Sequence, residues 1–194
     1  MMSHRIAQHH GTRTLTTPRL TLRRFTLEDA GAMYQNWACD PRVTHYLSWS
    51  PHRDVAETRA LLESWVGHYE SATQYSWGIE FEGRLIGSIT ANNLAVGYNR
   101  CEVGYCIAYD LWDRGVVTEA LQAVLDELFA VGLHKVCAQH DVENAASGRV
   151  MQKCGMTPEA RLREHYHYPD GRVSDAILYG ILERERRERH TAER

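Results

Sequence analysis

The stretch from Asp110 to Leu121 constrains the fold of this chain more than any other part of the sequence. A segment with the composition of a β-strand, Cys101 to Tyr109, leads into it, and an amphipathic helical pattern runs from Val116 to Leu133. Arg114 and Gly115 stand at the junction. A helix that begins at such a junction presents free N–H groups beside an arginine, and this combination suits a phosphate group.

Two other predicted helices begin in a different way. Thr26 with Asp29, and Asp54 with Glu57, provide acidic and hydroxyl side chains that cap the free N–H groups of a first turn. The helix that follows the Arg-Gly pair has no acidic residue before Glu119. Its first-turn N–H groups are therefore predicted to bind an external anion.

Composition limits the possible classes of protein. The formal charge of −3 over 194 residues gives no indication of a nucleic-acid partner or of an anionic membrane surface. The five cysteines are scattered without a CxxC spacing, which is typical of reduced thiols and predicts a cytoplasmic protein. The chain has no apolar run near the roughly 20 residues that cross a bilayer.

The remaining patterns predict a single α+β domain over residues 17–184. Polar residues 1–16 are interpreted as a disordered extension, and the charged residues 185–194 as a solvated tail. The predicted order is β-α-α-β-β-β-α-β-α-β-β. Predicted strands cover 18–25, 75–82, 84–92, 102–109, 135–141, 157–166 and 173–182, and predicted helices cover 26–40, 54–70, 115–133 and 144–154.

Several motifs occur along the chain in an order that resembles one known family. They are Glu102 to Ala108, Trp112 to Ala120, Asn144 to Ser147, Lys153 to Met156, Asp170 to Asp175, and the pair Leu178-Tyr179. Together they resemble the Gcn5-related N-acetyltransferase (GNAT) superfamily, and within it the RimJ/RimL type, which acetylates the N-termini of ribosomal proteins. The resemblance covers residues 17–183 and implies a mixed, mostly antiparallel, twisted sheet of about six to seven strands flanked by four helices.

The resemblance implies acetyl-CoA as the acetyl donor. The backbone N–H groups that would hold its pyrophosphate belong to Arg114, Gly115, Val116, Val117, Thr118 and Glu119. The pantetheine arm would lie along the main chain of Cys106, Ile107 and Ala108 and contact Asn144. Val116 and Val117 replace the aromatic residue and alanine usual in this branch, and the larger Val117 side chain is expected to narrow the approach to the phosphates.

The resemblance also implies catalytic roles. Acetyl transfer to an amine requires a base, and Glu102 matches the proposed base of this branch, acting directly or through a water. Ser147 matches the serine proposed to protonate the departing thiolate, and Tyr166 and Tyr168 are alternative donors. A main-chain N–H near Cys106 or Ile107 would stabilise the oxyanion. Periodicity alone leaves open which face of the strand carries Glu102.

The acceptor amine is the least determined feature of the sequence. Tyr46 and Trp49 lie in a predicted loop and are candidates for contact with the acceptor, whereas Trp37 and Trp65 are interpreted as core residues. The branch favours a protein N-terminal α-amine. Two alternatives remain: a small-molecule amine (an antibiotic, a polyamine or an amino acid), and a non-catalytic module that binds acyl-CoA. No metal site is predicted, and either a monomer or a homodimer is compatible with the sequence.

Overall fold

A computed structural model describes residues 7–192 of the chain, and these residues form a mixed sheet with helices packed on it. The eight strands are β1 Leu15–Thr16, β2 Leu20–Arg23, β3 Tyr75–Phe81, β4 Arg84–Ala95, β5 Arg100–Ile107, β6 Lys135–Asp141, β7 Thr157–His167 and β8 Val173–Leu182. The six α-helices are α1 Ala30–Met33, α2 Pro41–Thr44, α3 Val55–Gly67, α4 Val116–Val131, α5 Ala145–Lys153 and α6 Glu183–Ala192. The predicted α+β class is confirmed, with slightly more strands and helices than expected.

The strand order in the sheet is β1-β2-β3-β4-β5-β6-β8-β7. Neighbouring strands are antiparallel except for β5 and β6, which are parallel and are connected through α4. That pair is short: its residue pairs are Arg100 with Lys135, Cys101 with Val136, and Glu102 with Cys137. Beyond Glu102 the two strands separate, so the rest of β5 has one edge without a neighbouring strand.

Apolar residues on both faces of the sheet form the core. On one face α4 contributes Leu121, Val124, Leu125 and Leu128, whose side chains are completely buried. Burial of each contributes about 1.5–3 kcal/mol relative to an exposed position. On the other face Trp37 and Leu62 lie at the centre of a second cluster, formed by the helices that precede β3. This packing holds the start of α4 against β5.

Both ends of the chain differ from the sequence prediction. Residues 7–14, predicted to be disordered, contact α4 and the sheet: the Gln8 N–H donates to the Val131 carbonyl of α4, and the Trp77 indole of β3 donates to the Arg13 carbonyl. Residues 15–16 form β1. Their partners are far away in sequence, so local polarity could not reveal them. The first six residues of the predicted extension lie outside the described residues.

The charged C-terminal segment is also structured. It forms α6, whose Arg186 is only 8% exposed and makes two hydrogen bonds to Asp126 of α4, at 2.8 and 3.1 Å. His190 contacts the same carboxylate at 2.9 Å. The charged helix end was predicted to be a solvated tail. Residues 187–191 are exposed, but Arg186 and His190 tie the helix to α4. The last two residues of the predicted tail lie outside the described residues.

Candidate active site

The separation of β5 from β6 opens a cavity of about 450 Å³. One end, here called the α4 end, is formed by Gly115 to Thr118 together with Arg149 and Lys153 of α5. The other, here called the tyrosine end, is formed by Tyr46, Tyr166, Glu102 and Asp141. The open edge of β5 connects the two ends.

The α4 end is shaped by the backbone at Gly115. This residue has a φ of +71°, a conformation in the left-handed region that favours glycine, and it immediately precedes the helix. Among residues 7–192, no side chain caps the first turn of α4. The N–H groups of the first turn have no partner within the helix, so they are directed at the cavity with the positive end of the helix dipole.

The first acidic side chain within α4, Glu119, is held by groups outside this site. Glu119 accepts hydrogen bonds from the Thr17 hydroxyl at 2.6 Å and from the Arg19 backbone and side chain at 3.0 and 2.6 Å. Burial acts to raise the pKa of Glu119, but these hydrogen bonds outweigh it and lower the pKa. The Glu119 N–H already donates to the Gly115 carbonyl. Glu119 therefore belongs to the helix rather than to the group of free N–H donors.

The two valines do not fill the α4 end. Val116 is 1% exposed and packs in the core, and Val117 is partly buried against the same core. Both side chains are thus largely occupied with apolar packing, while their N–H groups belong to the uncapped turn. The narrowing expected from Val117 leaves an open cavity.

The unpaired edge of β5 carries main-chain groups of alternate residues. In an antiparallel ladder each residue directs both backbone groups to the same side, and the next residue directs them to the other. The Ala108 N–H donates to the Ile86 carbonyl of β4, and Ala108 is fully buried. We infer from this alternation that Cys106 also faces β4, whereas Tyr105 and Ile107 face the open edge. The Ile107 carbonyl accepts from the Trp112 indole at 3.1 Å, so the donors that remain on this edge include the N–H groups of Tyr105 and Ile107.

The start of α5 brings together the predicted Asn144 and Ser147. Asn144 is the N-cap of the helix, and its side chain accepts the Ser147 N–H at 3.2 Å. The Ser147 hydroxyl lies 2.9 Å from the phenol oxygen of Tyr105, which also donates to the Ser147 carbonyl at 3.2 Å. Burial raises the pKa of Tyr105 far above its usual value, so this phenol stays protonated. It is thus a neutral hydrogen-bonding partner for the serine.

Glu102 lines the cavity, which resolves the question of its orientation. It lies where β5 and β6 separate and is partly buried. It is also close enough to Tyr166 to affect that phenol: burial, Glu102 and Asp141 together raise the pKa of Tyr166.

Cys106 lies four residues after Glu102 on β5. Its thiol contacts the Ser88 hydroxyl, and burial raises the pKa of this thiol. A raised thiol pKa makes Cys106 unreactive as a nucleophile.

The two loop aromatics have different surroundings. Tyr46 lines the cavity at its tyrosine end, where burial and the charges of Glu143 and Asp141 raise its pKa. Trp49 instead packs against the second core cluster and the ring of His52, with ring centroids 4.9 Å apart. Only Tyr46 of this pair is placed to contact a molecule in the cavity.

The family is established by comparison with known proteins. Residues 19–157 match the model of the acetyltransferase (GNAT) domain. The chain is also 31% identical over 175 residues to an uncharacterized N-acetyltransferase, p20, of Bacillus licheniformis, covering 89% of this chain and 97% of the relative. The chain belongs to the GNAT acetyltransferase family. It is therefore an N-acetyltransferase, as its motifs predict.

Two further comparisons connect this GNAT chain to proteins of known substrate. The ribosomal protein uS5-alanine N-acetyltransferase of Escherichia coli is 25% identical over 179 residues, covering 86% of this chain and 89% of that protein. The solved structure of RimL, the ribosomal L7/L12 α-N-protein acetyltransferase in complex with coenzyme A, superimposes with a TM-score of 0.80 at 18% identity. That match covers 88% of this chain and 98% of RimL, and it shows a shared fold.

The structure of this GNAT domain adds residues that sequence reasoning missed. Arg149 and Lys153 line the cavity on α5. They are four positions apart on a predicted helix, and this spacing could have indicated a shared face. Tyr105 and Asp141 were also missed, because their partners Ser147 and Tyr168 come from distant segments.

Two further observations concern metal sites and membrane-spanning helices. Within residues 7–192 no cluster of three or more His, Cys, Asp or Glu side chains is arranged to hold a metal ion. Among the helices of that same range, none combines the length and apolar composition required to cross a membrane.

Proposed function

We propose that this enzyme transfers the acetyl group of acetyl-CoA to the α-amine at the N-terminus of a protein. One observation carries the proposal: the uncapped start of α4 and the open edge of β5 lie in a single cavity that ends at ionisable and aromatic side chains. A pyrophosphate at the N–H groups from Gly115 to Thr118 would be stabilised by the helix dipole. Arg149 and Lys153 would add positive charge at the same end.

The pantetheine arm would then extend along β5 and occupy the place of a neighbouring strand. The backbone groups of Tyr105 and Ile107 are the partners available on that edge. This arrangement directs the thioester toward Glu102 and Ser147, which both line the cavity. The Ile107 N–H is the proposed donor to the oxyanion that forms when the amine attacks the carbonyl.

Two proton transfers complete the proposed reaction. Glu102 accepts a proton from the acceptor ammonium, directly or through a water, so that the neutral amine can attack the thioester carbonyl. Ser147 passes a proton to the departing coenzyme A thiolate and regains one from solvent, while Tyr105 orients its hydroxyl. Because burial keeps Tyr105 protonated, it serves as a neutral hydrogen-bonding partner that positions Ser147.

The tyrosine end supports a cationic acceptor. Glu102, Asp141 and Glu143 place carboxylates around Tyr46 and Tyr166. An N-terminal α-amine has a pKa of about 7.7–8.0, so it is partly neutral at pH 7 and requires only modest assistance from a base. The uS5-alanine N-acetyltransferase relative acts on such an amine.

The test is a mass-spectrometric screen of acetyl transfer. Peptides with varied N-terminal residues are compared with small amines, and each peptide is matched with a version whose α-amine is blocked but which retains an internal lysine. We expect acetylation of free α-amines and none of the blocked peptides. Transfer only to small amines would refute the protein acceptor, and absence of thiol release with every amine would refute catalysis.

A further inference from the structure

The motif Asp170 to Asp175 has no role in the chemistry proposed above, yet its contacts reach the active site. It forms the turn between β7 and β8, where Gly171 has a φ of +86°. Arg172, in this turn, donates to the Asp170 carboxylate at 2.7 Å and to the backbone carbonyl of His45 at 2.7 Å. The second contact joins two segments that are 127 residues apart in sequence.

The turn between β7 and β8 is also attached to β6. The guanidinium of Arg172 stacks on the ring of Tyr168, with 4.4 Å from its carbon to the ring centroid. Tyr168 is 6% exposed and donates to the buried Asp141 carboxylate at 2.6 Å. Ser174 donates to the same carboxylate at 3.0 Å. Arg172 is therefore attached to a rigid support, because β6 is an interior strand of the sheet.

The other partner of Arg172 is the loop that carries Tyr46. His45, whose carbonyl accepts the bond, packs edge-on against the Tyr46 ring with centroids 4.6 Å apart. Tyr46 lines the tyrosine end of the cavity. Among the hydrogen bonds described for residues 7–192, the one from Arg172 joins the anchored hairpin to this loop of the cavity wall.

We propose that Arg172 is a positioning residue that holds the Tyr46 loop against the β7–β8 hairpin and thereby sets the affinity for the acceptor. The inference rests on the proposed function, since it assigns the tyrosine end to the acceptor. Arg172 lies outside the lining of the cavity and acts through the backbone of His45. Loss of this contact frees the loop, so the acceptor loses a preformed wall.

The experiment compares steady-state kinetics of Arg172→Ala and Arg172→Lys with those of Arg161→Ala. Arg161 is the matched control: it lies in β7 and pairs with Asp175 at 2.7 Å, but it has no contact with the Tyr46 loop among those described. For Arg172→Ala we expect the acceptor KM to rise about two- to threefold, with kcat and the KM for acetyl-CoA nearly unchanged. Lysine can donate to the His45 carbonyl but lacks the planar fork, so partial rescue is expected.

A double-mutant cycle with Tyr46→Ala tests the path. If Arg172 acts through Tyr46, the double variant has the same acceptor KM as Tyr46→Ala alone. Independent, additive effects would overturn the proposal, as would an unchanged acceptor KM in Arg172→Ala or an equal rise in Arg161→Ala.

The measurement uses whichever amine the wild-type enzyme acetylates best. A wild-type enzyme that is inactive on peptides but active on small amines refutes the protein acceptor. An Arg172→Ala enzyme whose acceptor KM for that amine equals the wild-type value refutes the positioning role of Arg172.

Discussion

The α4 end and the tyrosine end of the cavity are built from different kinds of groups. The α4 end is made chiefly of backbone N–H groups from one short stretch, Gly115 to Thr118. The tyrosine end is made of side chains from four separate segments: Tyr46, Glu102, Asp141 and Tyr166. A backbone N–H group is kept when its side chain is substituted, so valines can occupy the α4 end without loss of a hydrogen-bond donor. In the proposed function the side chains of the tyrosine end select the acceptor.

The largest effect is expected at the tyrosine end, from Glu102→Gln. Glutamine keeps the size of the side chain but cannot accept a proton, so kcat near neutral pH should fall about a hundredfold or more. Binding of acetyl-CoA, measured by calorimetry, should stay unchanged. Glu63→Gln is the control, since Glu63 is an exposed carboxylate of α3 that lies outside the lining of the cavity. A normal kcat in Glu102→Gln would remove Glu102 from the mechanism.

The next effect distinguishes the role of the Val117 backbone N–H from that of its side chain at the α4 end. Val117→Pro removes one N–H from the first turn of α4, where proline is tolerated. Loss of a hydrogen bond to a charged group predicts about tenfold to a hundredfold weaker binding of acetyl-CoA.

Val117→Ala keeps that N–H and should bind acetyl-CoA nearly as the wild type does. Calorimetry with both variants decides the point. Equal affinities in the two would show that the N–H groups of α4 do not hold the phosphates.

A smaller effect is expected from Ser147→Ala at the centre of the cavity. A thiolate whose conjugate acid has a pKa of about 8.5 is a good leaving group, so kcat should fall only about tenfold. The Asn144 cap binds the Ser147 N–H rather than its hydroxyl, so α5 should remain intact. Tyr105→Phe should give a weaker loss of the same kind. If kcat is lower in Tyr105→Phe than in Ser147→Ala, the assigned order of roles is wrong.

The smallest effect distinguishes the two loop aromatics. Tyr46→Ala should raise the acceptor KM about fivefold without altering thermal stability, because its side chain lines the cavity. Trp49→Ala should instead lower the melting temperature, by about 2–4 °C for each kcal/mol of packing lost. Kinetics combined with a thermal melt separates them. An acceptor KM raised only in Trp49→Ala would reverse the assignment.

The sequence predicted the α4 end well because its signals are local. Gly115 and the absence of an acidic residue before Glu119 predicted the start of the helix. The break between the predicted strands 75–82 and 84–92 corresponds to a turn in which Glu82 and Gly83 have φ of 51° and 76°. Such features depend on a few adjacent residues and their intrinsic backbone preferences. The cofactor roles assigned to this stretch remain predictions.

The tyrosine end was harder to predict because it depends on contacts between distant segments. The alternation of β5 could not place Glu102 until the register with β4 and the separation from β6 were known. Trp49 and Tyr46 are three residues apart and similar in type, yet tertiary packing places Trp49 against a core cluster and Tyr46 against the cavity. Asp141 gave no signal at all, because its partners Tyr168 and Ser174 follow more than 25 residues later.

The short pairing of β5 with β6 has a consequence for the order of events. Three residue pairs form the whole of this pairing, which joins strands β1–β5 to strands β6–β8. Bound acetyl-CoA would extend this pairing by supplying backbone hydrogen-bond partners that β5 lacks. In doing so it would form part of the surface that the acceptor amine contacts. The enzyme would then complete its second substrate site only after the first is filled, so backbone amides flanking the β5–β6 pairing should exchange with solvent more slowly once acetyl-CoA is present.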